Sequence, residues 1–332
     1  MIKYVLKRLI MLIPVLLGVS LLVFTIMSLT PGDPAQLILG ENAPREAIEQ
    51  LRREMGLDKP FFVQYFSFVW NAVRGDFGTS YTTGRVVFDE IFSRFPATLH
   101  LAIVGMIIAI MIGIPVGIIS ATKQYSLTDN VSMISALVGV SMPNFWQGLM
   151  LILFFSVRLR LLPSGGYEGL TTLSGLLGFW PKFLDFTVPT FRSLRYLILP
   201  AITLGTGTAA IITRMTRSSM LEVIRQDYIR TARAKGVAEN VVINKHALKN
   251  ALIPVVTVIG LQFGSLLGGA VLTESVFSWP GVGRLMVDAI RQKDTPTVLG
   301  AVLFLAAIFS IVNLFVDILY GFIDPRIKSQ YK

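Results

Sequence analysis

Uncharged apolar stretches alternate along this chain with short segments that carry most of its charge. A helix needs about 20 residues to cross the roughly 30 Å hydrocarbon core of a membrane. Stretches of that order without Asp, Glu, Lys or Arg occur at Leu9–Leu29, Leu101–Ala121, Val131–Val157, Tyr196–Thr213, Ala251–Thr273 and Thr297–Val316. The pattern predicts an all-α polytopic membrane protein with six transmembrane helices.

Composition supports a membrane protein and removes several kinds of chemistry. Of the 332 residues, 53% are hydrophobic and 15% are charged, whereas a soluble domain has roughly 25% charged residues. The absence of cysteine excludes disulfides, thiolate metal sites and a cysteine nucleophile, and two histidines are too few for a histidine zinc site. We therefore expect no metal site.

The first apolar stretch has two interpretations. Lys3, Lys7 and Arg8 precede it, as in a secretory signal peptide. However, Leu9–Leu29 is longer than the 7–15 residues or so of a signal core, and no small-x-small cleavage site follows it. We interpret it as a membrane anchor.

The distribution of charge predicts the orientation. With the N-terminus inside, the inner segments are 1–8, 122–130, 214–250 and 317–332, and they hold 15 of the 30 basic but 6 of the 20 acidic residues. Cytoplasmic loops are enriched in Lys and Arg, so both termini are predicted to be cytoplasmic. The inner segments thus hold +9 of the net charge of +10. This excess lies beside the membrane, where it sets the topology and attracts anionic lipid headgroups, and it does not indicate nucleic-acid binding.

The first outer segment, Thr30–Thr98, is too long for a tight turn. Within it, Pro44–Met55 predicts an amphipathic helix, with Pro44 in the first turn and Gly56 as the cap. The segment is interpreted either as a lid on the outer ends of the spans or as a docking surface for an external partner.

The inner segment Arg214–Asn250 is long for a simple connection and has a helical pattern. We predict a short helix over Tyr228–Lys235, with Asp227 as its N-cap and Gly236 as a left-handed C-cap, followed by a second helix from near Glu239 through Leu248. Such a short helix needs a packing partner. It could lie on lipid headgroups. A helix-turn-helix DNA reader is the weakest alternative, because both ends are tethered near the bilayer.

No catalytic motif is found. The chain lacks a phosphate-binding G-x-x-x-x-G-K-[ST] loop, H-E-x-x-H, G-x-S-x-G and an acid–base pair within the spans. We predict that it is not an enzyme and that energy for any active transport comes from another chain. Ion-coupled secondary transport is the alternative, disfavoured because the spans lack carboxylates.

Several polar residues lie within the spans. Pro143 breaks the third span and frees backbone groups that need neighbours or a water-filled path. The candidates for lining a translocation path are Ser141, Asn144, Gln147, Thr206, Thr208 and Gln262, and polar contacts between helices are an equal alternative. Gly113 and Gly117 predict a close helix contact.

The inner segment resembles that of a known family. The stretches Arg214–Val223 and Asp227–Gly236 are similar to the inner loop of ABC importer permeases, specifically the peptide/nickel family of binding-protein-dependent transporters. Family-like stretches also occur at Pro31–Pro34, Met55–Pro60, Ser141–Pro143, Phe277–Gly283 and Asp324–Arg326. The resemblance covers essentially the whole chain. Of the general importer motif only Ala232, Gly236 and Leu248 are kept, and Arg230 is basic where an acid is usual.

The resemblance implies a type I ABC importer permease fold in a prokaryotic cell membrane. It implies a first span over 1–29, an extracytoplasmic region over 30–98, a permease core over 99–320 with the coupling loop 214–250, and a cytoplasmic tail over 321–332. The residues implied to contact an ATPase subunit are Asp227, Tyr228, Arg230, Thr231, Ala232, Ala234, Lys235 and Gly236.

The resemblance also implies partners and a substrate. The partners would be a related second permease, two ATPase subunits that bind ATP and Mg²⁺, and an external binding protein. A homodimer is the alternative to this heterodimer. Dipeptides or oligopeptides are the expected substrate, with nickel complexes, glutathione or another small solute as alternatives.

Overall fold

The computed structural model describes residues 2–30, 32–40, 43–167, 170–172, 187–189 and 191–323. The helices of these ranges are α1 Ile2–Leu29, α2 Pro34–Leu39, α3 Arg45–Glu54, α4 Phe61–Val73, α5 Val87–Thr122, α6 Leu127–Ser141, α7 Asn144–Arg158, α8 Phe191–Ile224, α9 Asp227–Ala234, α10 Glu239–Gly269, α11 Val271–Val276, α12 Val282–Arg291 and α13 Thr295–Ile323. The antiparallel strands β1 Leu170–Thr172 and β2 Thr187–Pro189 pair with each other. The motif at Asp324–Arg326, most of the predicted tail and Pro31 lie outside the described residues.

The structure agrees with the all-α prediction and with the predicted number of spans. Among the described residues, five helices are long and apolar enough to cross a membrane, namely α1 from Arg8, α5, α8 from Leu194, α10 and α13 to Ile318. The bent pair α6 and α7 makes a sixth span if it is counted as one.

The third span is broken where the proline predicts. The chain bends by 104° between α6 and α7, and Met142 and Pro143 between them have extended backbones. Proline lacks an N–H group and disfavours helical geometry at the residue before it, so the break follows from local sequence.

Some helices extend beyond the apolar stretches that identify them. α5 begins at Val87 rather than near Leu101. The predicted second short helix of the inner segment is wrong as a separate element, because α10 runs without interruption from Glu239 into the fifth span. Apolar length reports only the part of a helix that lipid surrounds, and a helix can continue into water.

The chain forms two compact units, and the first comprises Met1–Thr98 and Pro280–Ser310. One core cluster of this unit contains Val87, Ile91, Val282, Leu285 and Ala301. A second cluster contains Phe24, Tyr65 and Leu299. The Tyr65 hydroxyl donates to the Leu17 carbonyl at 3.1 Å. This bond fastens α4, a helix that the sequence analysis does not predict, to α1.

The amphipathic helix of the outer segment is confirmed with one change. α3 spans Arg45–Glu54, and Pro44 is its N-cap rather than a residue of its first turn. Gly56 has φ +67°, the left-handed conformation that glycine adopts without steric cost.

A buried carboxylate fastens the outer segment to the start of α13. Asp294 accepts hydrogen bonds from Ser80 Oγ at 2.5 Å, the Tyr81 amide at 3.2 Å and Thr297 Oγ1 at 2.8 Å. Burial and the charge of Asp294 raise the pKa of Tyr81 to about 12. Asp294 thus serves as a capping residue for α13 and as the anchor of the Ser80–Thr82 turn.

The second unit comprises Leu99–Trp279 and Ile311–Lys332 and is built around α8. Glycines of α5 allow a close approach to α8, as predicted. A Cβ atom on Gly117 would lie 2.8 Å from the Thr213 carbonyl oxygen, and one on Gly113 would lie 2.9 Å from the Ala209 carbonyl oxygen. Any side chain there would collide with backbone.

Candidate coupling surface and translocation path

The short helix α9 is present, but its N-terminus differs from the prediction. Gln226, not Asp227, is the N-cap residue, and it makes no side-chain capping bond. Asp227 is the first residue of the helix, and its carboxylate lies 2.9 Å from Arg230 Nη2. An acid in the first turn still favours the positive end of the helix dipole.

The C-terminus of α9 is as predicted. Gly236 has φ +75°. Its amide donates to the Arg233 carbonyl at 2.9 Å, and the Val237 amide donates to the Ala232 carbonyl at 3.3 Å. These two bonds form a Schellman motif, which satisfies carbonyls that the helix leaves unpaired.

One face of α9 is packed on the rest of its own chain. Ile229 is fully buried in a cluster with Ala121, Met220, Val242, Ile243, Ala247 and Ala251. These residues belong to the ends of α5 and α8 and to the beginning of α10. The short helix is therefore supported by protein packing, which supplies the partner that its length requires.

The opposite face of α9 is exposed. Seven of the eight residues predicted to contact an ATPase subunit are exposed, and only Ala232 is partly buried, against the Ile229 cluster. The side chains of Asp227 and Arg230 are 91% and 73% exposed. The helix thus has one face fixed to the membrane helices and one face available to a partner.

A charged pair fixes the turn that follows α9. Arg233 donates two hydrogen bonds to the carboxylate of Glu239, at 3.0 and 2.6 Å. Since Glu239 begins α10, this pair joins α9 to the helix that continues into the fifth span. The neighbouring carboxylate raises the pKa of Arg233.

A buried ion pair that the hydrophobic pattern does not predict joins α6 to α8. Arg217 donates two hydrogen bonds of 2.7 Å to the carboxylate of Asp129. Asp129 also accepts from Ser120 Oγ and from the Tyr125 amide, and its side chain is 3% exposed. The Ser126-x-x-Asp129 spacing is a helix-start signal that could have located Asp129 at the beginning of α6, but nothing local indicates Arg217.

The candidate path residues are partly brought together. Asn144 Oδ1 lies 3.8 Å from the position of a Cβ on Gly207, and Thr206 packs on Gly139. The break in the third span therefore faces the Thr206–Thr208 segment of α8. Gln147 Oε1 is buried and finds no hydrogen-bond partner in the described part of the chain.

The other path candidates differ in their surroundings. Thr206 donates to the Ile202 carbonyl of its own helix at 2.6 Å, and Thr208 is buried. Ser141 is exposed at the end of α6, and Gln262 is half-buried on α10. Among the described residues, no group of three or more His, Cys, Asp or Glu could hold a metal ion.

Replacing Gly236 with valine will strain the turn after α9. A Cβ at this position meets no atom within 4 Å, so the cost comes from the backbone alone, at roughly 1–2 kcal/mol for a residue with a side chain. We expect transport to fall sharply with Gly236→Val and less with Gly236→Ala, because β-branching adds strain at positive φ. Uptake by cells with matched permease levels measures this. Wild-type uptake by Gly236→Val would contradict a required left-handed cap.

Long apolar helices with a short helix docked on their ends define a membrane-spanning protein with one surface outside the spans available to a partner. The family model described as binding-protein-dependent transport system inner membrane component matches residues 113–329. The corresponding N-terminal model matches residues 1–102. The chain belongs to the family of binding-protein-dependent transport system inner membrane components, and it is a multi-pass membrane protein.

Full-length relatives are transport permeases. The chain is 51% identical to the dipeptide transport system permease protein of Alkalihalophilus pseudofirmus, over 99% of this chain and 100% of the relative. It is 46% identical to the dipeptide transport system permease protein of Escherichia coli K12, with the same coverage. The glutathione transport system permease protein of Escherichia coli K12 is 44% identical, again over 99% and 100%.

A solved structure has the same fold. The MetNI methionine ABC transporter, in an inward-facing form, matches with a TM-score of 0.55 at 19% identity. The match covers 71% of this chain and 96% of that chain. The type I ABC importer permease fold implied by the sequence resemblance is thus found in the structure.

Proposed function

We propose that this chain forms half of the translocation path of an ATP-driven importer for dipeptides or oligopeptides. An external binding protein delivers the peptide, and ATP is hydrolysed by separate cytoplasmic subunits. The observation that carries the proposal is the full-length identity of 51% to a dipeptide permease. The docked helix supports the dependence on a partner, because one of its faces is fixed to the chain and the other is exposed to a second protein.

The coupling step follows from how α9 is held. The exposed face, which includes Tyr228, Arg230 and Lys235, contacts the ATPase subunit, and Ile229 carries the movement into α5, α8 and α10. Asp227, Thr231, Ala234 and Gly236 complete that contact, and Ala232 supports it from the packed side. Shifting the populations of two conformations of the path from 1:99 to 99:1 takes about 5.5 kcal/mol of differential binding free energy. The closure of an ATPase pair on ATP and Mg²⁺ can provide this free energy.

The path runs through the break in the third span. We propose that Ser141, Asn144, Gln147, Thr206, Thr208 and Gln262 line it. The buried, unpaired Oε1 of Gln147 supports this role, since such an acceptor is costly unless water or a substrate can reach it. The second half of the path comes from a related permease, so the membrane portion is a heterodimer.

The function is tested by reconstitution. Vesicles holding this chain, its second permease and two ATPase subunits should accumulate a labelled dipeptide only with ATP and the loaded binding protein, and a protonophore should not stop them. This chain alone in nanodiscs should hydrolyse no ATP above background. Uptake that survives ATP depletion but collapses with a protonophore would instead identify an ion-coupled carrier.

The topology is tested by reporter fusions. We propose that both termini are cytoplasmic, that 30–98 is extracytoplasmic and that the core 99–320 ends in a cytoplasmic tail from 321 onward. A reporter active only outside the cytoplasm should be active when fused after Gly56 and silent when fused after Gly236. The opposite pair of results would reverse the orientation.

Glutathione is the second candidate substrate. The 44% identity to a glutathione permease extends over the whole chain, so the fold does not separate the two substrates. Competition between labelled dipeptide and glutathione in the same vesicles decides between them.

A further inference from the structure

An open cleft of about 460 Å³ lies where α7 ends and α8 begins. Arg160, Arg195, Tyr196 and Ser156 line it, and none of the described residues that line it is acidic. Arg195 Nη2 donates to the Leu161 carbonyl at 3.3 Å, which holds its guanidinium beside the backbone that follows Arg160. Two guanidinium groups that line the same opening repel each other, and a bound anion would relieve that repulsion.

Two further features indicate that this cleft is built to receive a ligand. Arg160 has φ +53°, a left-handed conformation in which a non-glycine residue is disfavoured and which is typical of functional positions. Ser156 Oγ is buried and has no hydrogen-bond partner among the described residues, and a bound acceptor would satisfy it. Neither arginine forms an ion pair with another described residue.

The cleft shares its two supporting helices with the candidate path. Ser156 lies further along α7 than Asn144 and Gln147, and Tyr196 precedes Thr206 on α8. A substrate anion held here would therefore lie on the same two elements as the break in the third span, at their outer ends in the predicted topology.

We propose that Arg160 and Arg195 bind the terminal carboxylate of a peptide as it enters the path. The proposal rests on the proposed function, since it identifies the feature of the peptide that the permease reads. Peptides of different sequence share their terminal groups, so a carboxylate site accepts many side chains. Arg forms paired hydrogen bonds with a carboxylate, and Tyr196 and Ser156 add neutral donors.

The chain contains no cysteine, which allows direct measurement of binding. Leu162 lines the cleft, so an environment-sensitive fluorophore is attached to Leu162→Cys in the complete complex. The complex without this substitution is treated with the same fluorophore to measure background labelling. Alanyl-alanine and its N-acetyl derivative should change the fluorescence, whereas alanyl-alanine amide should need a concentration at least about tenfold higher. Arg160→Gln and Arg195→Gln should abolish this preference. Arg158 lies outside the cleft, and Arg158→Gln changes the net charge by the same amount as the two cleft variants. This control should retain the preference.

The outcomes separate the two proposals. If the wild-type complex imports no dipeptide, the proposed function fails. If it imports dipeptide but free and amidated peptides bind equally, or Arg195→Gln keeps the preference, only the carboxylate site fails. In a further outcome, neither peptide changes the fluorescence, but the fluorescence differs between phosphatidylglycerol and phosphatidylcholine nanodiscs. The cleft then holds a lipid phosphate, and the carboxylate proposal is overturned.

Discussion

Replacing Arg217 with alanine is expected to destabilise the permease by about 3–5 kcal/mol, because it leaves a buried charge without its counter-ion. Asp129 is enclosed by α5, α6 and α8, and Arg217 is its basic partner in the cluster. For a chain of this size the loss should lower the melting temperature by about 5–10 °C. Thermal melting of the purified permease in nanodiscs measures the shift.

Two controls separate the ion pair from a general loss of charge. Asp129→Asn combined with Arg217→Gln removes both charges and keeps polar groups, so it should be less destabilising than Arg217→Ala, and a double-mutant cycle gives the coupling energy. Arg230→Ala removes the exposed pair with Asp227 and should leave the melting temperature unchanged, as exposed pairs contribute little. If Arg217→Ala and Arg230→Ala lower the melting temperature equally, the burial of Asp129 does not account for the contribution of its ion pair to stability.

Replacing Ile229 with aspartate is expected to abolish transport while the permease still inserts into the membrane. The substitution places a carboxylate among the apolar residues of the Ile229 cluster. An eight-residue helix is not stable in water without its packing face, so α9 should undock and unfold. The spans are unchanged, and membrane insertion depends on them.

Undocking can be measured separately from transport. Trypsin should cleave Ile229→Asp rapidly at Arg230, Arg233 or Lys235 and the wild type slowly, and stimulation of the ATPase by loaded binding protein should fall to background. Ile229→Val, which costs roughly 0.5–1.5 kcal/mol, is the matched control and should retain most of the transport. Normal transport by Ile229→Asp would mean that docking of α9 on its own chain is not required for coupling.

Most of the site that the sequence predicted depends on local chemistry. The end of α9 at Gly236 follows from the left-handed conformation that glycine tolerates, and the break of the third span follows from Pro143. The N-cap prediction at Asp227 is wrong by one residue, because several polar residues precede the helix and pattern alone does not choose among them.

The sequence by itself determined the number and approximate position of the spans. Each span must present apolar side chains to lipid over about 20 consecutive residues, and this requirement is visible in the sequence. Only the tertiary structure decided which distant residues meet. Arg217 and Asp129 are 88 positions apart, and Ser80 and Asp294 are 214 positions apart. It also decided that Ile229 docks on three other helices, and that α5 and α10 continue beyond their apolar stretches. The contacts between distant residues arise from the packing of one helix against another, which the period of a single helix does not encode. The extensions of α5 and α10 lie outside the apolar stretches that identify a span.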